Sequence, residues 1–279
     1  MNKILKTNIE PDEWQSLKAY TDARIALGKT GVSIPVAASM AFKLAHAHAK
    51  DAVYSSLDQS KLIDLLKEIH QPVAALHSQA ANRDIYLQRP DLGRRLADDS
   101  VRKLHQLLAQ PCDLCIILAD GLSASAINEN AWPVVNLLVQ TAKSMNFSLS
   151  AISLVEHARV AIADEIGSLL KAKLSIIFIG ERPGLSSFDS MGAYITYAPS
   201  PGLTDERRNC ISNIRQNGLS AALAVDKIMY LVREAFRLQT TGVSLKDNDI
   251  GQPTQLPTGG PSNGMIIHPT AGSNLPVNE

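Results

Sequence analysis

Four short, almost uninterrupted apolar runs, Leu114–Ala119, Leu149–Val155, Leu174–Ile179 and Ala193–Tyr197, are separated by longer stretches with helical spacing. Strands this apolar need cover on both faces, as in a parallel sheet flanked by helices. The intervening helical patterns, Leu92–Leu108, Ala124–Met145 and Val160–Ala172, followed by Leu219–Gln239, supply that cover. Alternation of strand and helix implies βαβ units, hence an α/β fold with a Rossmann-like, doubly wound, mainly parallel sheet over residues 62–245.

The flanking regions differ. Residues 1–61 are rich in Ala, Leu and Lys and carry no β-branched strand. Gly28 and Gly31 break a first pattern as helix C-cap glycines would, and Pro35 suits the first turn of a second helix running through Met40 and Phe42 toward Val53. This segment is expected to be a small helical subdomain that packs on its neighbours or a partner. Residues 246–279 contain Pro253, Pro257, Pro261, Pro269 and Pro276 without helical period, and are expected to form an irregular tail.

Charge excludes one large class of partner. Lys+Arg and Asp+Glu both number 27, which leaves no basic excess for nucleic acid. No uncharged apolar run suits a bilayer, the first residues lack the apolar core of a signal peptide, and three cysteines are too few for a disulfide framework. The expectation is a cytoplasmic protein with no membrane or nucleic-acid partner.

In a parallel sheet ligands gather at the carboxyl ends of the strands. One such loop, Gly121-Leu122-Ser123-Ala124-Ser125, nearly matches the Gly-x-Ser-x-Gly nucleophile elbow but lacks its last glycine. Ser123 is read first as a helix N-cap, and a serine hydrolase is kept as an alternative. Cys112 and Cys115 have Cys-x-x-Cys spacing but run into a strand instead of opening a helix, which argues against a redox pair, and no second pair completes a zinc site. No Gly-x-Gly-x-x-Gly or P-loop occurs. Gly180-Glu181-Arg182-Pro183-Gly184 sets an acid and a cation at a strand end, and Cys210 to Arg215 places Ser212 and Asn213 among apolar residues, as an amide-edged ligand would favour.

Four segments in order, Arg89-Pro90-Asp91-Leu92-Gly93-Arg94-Arg95, Asp120-Gly121-Leu122-Ser123, Gly180-Glu181-Arg182-Pro183-Gly184-Leu185 and Cys210-Ile211-Ser212-Asn213-Ile214, resemble the ethanolamine ammonia-lyase small (light) subunit family across about residues 12–245. The resemblance implies a subunit of an adenosylcobalamin-dependent lyase that converts ethanolamine to acetaldehyde and ammonia by a radical route. It implies a large (heavy) subunit partner in a hetero-oligomer, with the barrel-shaped large chain holding substrate and most catalytic groups. It further implies that this chain completes the cobalamin site, with Val160, Glu181 and Cys210 at the cofactor-contacting positions and no catalytic or metal-ligating residue of its own. No Asp-x-His-x-x-Gly occurs, so the cofactor is expected to keep its benzimidazole as the lower cobalt ligand. Family members with a long N-terminal extension enter bacterial microcompartments; the helical part here begins near Asp12, which puts encapsulation in doubt. A stand-alone cobalamin- or nucleotide-binding module is the remaining alternative.

Overall fold

A computed structural model describes residues 9–107 and 110–246. The expected tail lies outside them. Six strands, β1 (Val73–His77), β2 (Cys112–Ala119), β3 (Ile152–Glu156), β4 (Ala172–Gly180), β5 (Met191–Tyr197) and β6 (Asn209–Ile214), form one sheet in the order β1-β3-β2-β4-β5-β6. The pairings β1–β3, β2–β3 and β2–β4 are parallel, and β4–β5 and β5–β6 are antiparallel. The sheet is therefore mixed, which corrects the expectation of a mainly parallel, doubly wound one. Chain length is the reason. Residues 181–190 between β4 and β5, and 198–208 between β5 and β6, hold no crossover helix, and without one the chain turns back antiparallel.

The helices are α1 (Val36–Tyr54), α2 (Gln59–Lys67), α3 (Arg83–Gln88), α4 (Asp98–Gln106), α5 (Ala124–Ser144), α6 (Ile162–Leu169) and α7 (Ala221–Leu238). On one face of the sheet, α2, α5 and α7 bury Leu62, Val135 and Ile228 against Leu114, Ile116, Leu174, Ile176 and Ile195. On the other, α4 and α6 bury Leu104 and Ile166 against Cys115, Ile117 and Ile177. Strand residues of both parities are thus covered at β2 and β4, which is why those two read as continuous apolar runs. Cys112 and Cys115 are free and buried in β2, where burial pushes both thiols up.

Other boundaries moved. The helix expected over Leu92–Leu108 is a 3-10 turn at Leu92–Arg94 followed by α4, and the one expected over Val160–Ala172 ends at Leu169, with Lys171 at positive φ before β4. Pro35 stands at the N-cap of α1, one position earlier than expected. Gly28 does not cap a helix: with φ +77°, it lies where a Cβ would come 2.7 Å from the Glu10 carbonyl oxygen, and Glu10 and Lys29 exchange backbone hydrogen bonds there. Strands β1 and β6 were not expected, and Cys210 lies inside β6.

Candidate functional site

The ends of β2 and β4 interlock. A Cβ on Gly121 would come 2.2 Å from the Gly180 carbonyl oxygen, and one on Gly180 would come 2.0 Å from that of Ser123. The Leu122 N–H donates to the Gly180 carbonyl at 2.9 Å. Asp120, buried behind this crossing, accepts from the backbone N–H groups of His157 (2.8 Å) and Ala158 (3.1 Å), which ties the loop after β3 to the same edge. Two of the four sequence segments are therefore fixed to each other by backbone proximity that admits only glycine.

Ser123 caps α5, accepting from the Ala126 N–H at 3.3 Å. Its hydroxyl donates to the Phe188 carbonyl at 2.8 Å and is fully buried, so the elbow exposes no nucleophile.

The segment from Arg89 to Arg95 joins the edge through Gly93, whose missing side chain lets Arg159 approach; the Arg159 N–H donates to the Gly93 carbonyl at 2.7 Å. Arg159 then lays its guanidinium over the Tyr86 ring, 4.4 Å from the centroid. The Tyr86 hydroxyl donates to the Ala158 carbonyl at 2.9 Å.

Val160, next along the chain, lines a cleft of about 620 Å³ with Arg94, Arg159, Tyr194 and Leu203. Tyr194 connects the expected site residues. It faces Cys210 across the β5–β6 ladder. Burial first, then the adjacent Cys210 thiol and the Glu181 carboxylate, push its phenol up. Glu181 leaves the end of β4 and accepts from the Ser190 hydroxyl at 2.5 Å. Its side chain lies over Gly192, where a Cβ would come 2.9 Å from Oε1. Cys210 is exposed, with its sulfur 3.4 Å from the Ser212 hydroxyl.

Val160 follows the carboxyl end of β3 and Glu181 that of β4. Cys210 instead sits on the face of the sheet, partnered with the middle of β5. The three border one surface, formed where β5 and β6 turn Gly192, Tyr194, Cys210 and Ser212 away from α7. Only a 3-10 turn, Asp205–Arg207, joins these strands. At its far end the surface is closed by Arg208, which holds the Asp164 carboxylate with two nitrogens at 2.6 and 2.8 Å and also reaches Thr196 and the Leu203 carbonyl. Tyr194 was missed in the sequence. The signal was present in the period of two: Met191, Ala193 and Ile195 are apolar, whereas Gly192, Tyr194 and Thr196, which alternate with them, are small or carry a hydroxyl.

The chemistry of this surface fits a corrin. A carboxylate and two hydroxyls can accept from amide side chains, Val160 offers apolar contact, and the bare Gly192 keeps Glu181 low against the sheet. Among the described residues no cluster of His, Cys, Asp or Glu is grouped to hold a metal ion, and no helix is long and apolar enough to cross a membrane.

Comparison with known proteins agrees with the four segments. The family model described as ethanolamine ammonia-lyase light chain matches residues 11–246. Among the most similar relatives is the ethanolamine ammonia-lyase small subunit of Pseudomonas syringae pv. tomato, 49% identical over 250 residues, covering 88% of this chain and 87% of its own. Those of Pseudomonas paraeruginosa and Azotobacter vinelandii are each 51% identical over 237 residues, covering 84% of this chain and 87% and 88% of theirs. With a family model spanning nearly all the described residues and about half of the aligned positions identical in these relatives, this chain belongs to the ethanolamine ammonia-lyase light-chain family.

Proposed function

We propose that this small subunit completes an adenosylcobalamin site with a large subunit, and that Val160, Glu181 and Cys210 present its corrin-facing surface. The observation that carries the reading is the open face of β5 and β6, on which all three border Tyr194. Bound adenosylcobalamin supplies a cobalt–carbon bond whose homolysis starts the radical conversion of ethanolamine to acetaldehyde and ammonia. This chain's residues bind and orient. Glu181, held by Ser190, accepts hydrogen bonds from corrin amides; Val160 packs on the apolar rim; Cys210 packs beside Tyr194. None of these three residues is a histidine, and they would hold the corrin by its periphery. Substrate is held by the large chain.

Ammonia release from ethanolamine with adenosylcobalamin is measured for this chain, the cognate large chain, and their mixture. Activity only in the mixture is expected. Tight cobalamin binding by this chain alone, with no turnover in the mixture, would favour a stand-alone binding module. In the active mixture, Glu181→Gln is expected to raise the cobalamin concentration for half-activity roughly tenfold, the worth of one hydrogen bond to a charged group. An unchanged value removes Glu181 from the cofactor surface.

A further inference from the structure

The lining of the cleft beside Val160 carries charges of both signs. Arg94 and Arg159 line the cleft from the segments before α4 and α6, and Asp205 and Glu206 line it from the turn between β5 and β6. The acids are engaged: Asp205 lies 3.4 Å from the buried Arg208, and Glu206 accepts from the Thr204 hydroxyl. So are the neighbouring arginines. Arg89 pairs with Asp91 at 2.7 Å, Arg95 with Glu165 at 3.1 Å, and Arg83 donates to the Gly121 and Val53 carbonyls at 2.7 and 2.6 Å. Arg94 and Arg159 alone in this group pair with no carboxylate among the described residues. The Nε of Arg159 is buried without a hydrogen-bond partner.

That arrangement is costly for the chain by itself. Two guanidinium groups that line one cleft without a carboxylate partner repel each other, and an anion held between them relieves that repulsion. The position is also fixed from both sides: the Tyr86 ring sets the plane of Arg159, and its backbone bond to Gly93 places Arg94 beside it. A pre-oriented guanidinium fork suits the oxygens of a phosphate ester. The cleft opens onto Tyr194, hence onto the surface assigned above to the corrin.

We propose that Arg94 and Arg159 bind the phosphodiester that links the corrin to its benzimidazole nucleotide, so that the cleft beside Val160 is the nucleotide-tail subsite of the cobalamin surface. This rests on the cobalamin reading. Asp205 and Glu206, already engaged by Arg208 and Thr204, take no part in holding the phosphate.

The test compares two ligands in the complex with the cognate large subunit, by equilibrium dialysis followed through corrin absorbance: hydroxocobalamin, and cobinamide, which lacks phosphate, ribose and benzimidazole. Arg94→Gln and Arg159→Gln are each expected to raise the cobalamin Kd roughly tenfold or more while leaving the cobinamide Kd within about twofold, and Arg159→Lys to recover part of the loss. Arg94 is exposed and unpaired, so its variant leaves the fold intact. An unchanged cobalamin Kd in both variants, or an equal loss for both ligands, overturns the phosphate site. A native complex that holds both ligands equally also overturns it, while sparing the corrin surface. A native complex that holds neither removes the cobalamin reading and this inference together.

Discussion

Arg208 and Asp164 are 44 positions apart and nearly inaccessible, with side-chain exposures of 1% and 2%. Removing either partner strands a buried charge, so Arg208→Met or Asp164→Asn is expected to destabilise the fold by about 3–5 kcal/mol, read from urea denaturation midpoints. Replacing both with apolar residues of similar size should cost much less than the sum. The pair also explains why residue-level reading of this region stops short. The run Asp205-Glu206-Arg207-Arg208 looks like a charge-rich loop, and nothing local says that Arg207 faces solvent while Arg208 turns inward. The deciding partner lies on α6. The glycines of the four segments behave the same way: sequence marks them, but only the crossing of the chain shows that Gly121 and Gly180 are needed for each other.

One carboxylate binds the amino ends of β2 and β4 to the segment that leads into β3. Asp113 accepts from the Ser148 N–H and hydroxyl at 2.9 and 2.7 Å and from Lys173 at 2.9 Å. Burial pushes its carboxyl up, but the Ser148 bonds and the Lys173 ammonium outweigh it, and the net position is below the ordinary carboxylate range. A carboxyl depressed on folding contributes stability that is complete above its unfolded pKa, about 4, and is lost as pH falls through the folded value. Asp113→Asn is expected to lower stability by on the order of 1 kcal/mol at neutral pH and to flatten the decline in Tm below about pH 4. Elements buried on both faces were legible from their runs of Leu and Ile. The edges were not. β1 is short and alternates, and β6 reads Asn-Cys-Ile-Ser-Asn-Ile with only Ile211 and Ile214 buried, a pattern that a loop shares. Strand direction was invisible too, because it depends on what the connections contain.

Across the molecule, stability is unevenly shared. The 19-residue α1 buries Ala52 alone, whereas α5 buries nine residues, including Val134, Val135 and Leu138. Helices in proteins draw most of their stability from a packed apolar face. In this chain alone, amides in the first half of α1, around Met40 and Phe42, are expected to exchange with protection near that of an isolated helix, while α5 approaches global protection. Hydrogen-exchange mass spectrometry reads both; equal protection would contradict the contrast. At this scale the ordered segments of the sequence already pointed to the right family, and two of them, at Gly121 and Gly180, sit where a chain crossing constrains them most.

The surface that gathers Val160, Glu181, Tyr194 and Cys210 exists because the chain stops winding after β4. A helix inserted between β4 and β5, or between β5 and β6, would have somewhere to lie, and the place is this surface. Substitutions can therefore retune what is held there, one contact at a time. Lengthening either connection enough to hold a helix would roof it over, so the shortness of these two connections matters to the surface as much as the side chains on it.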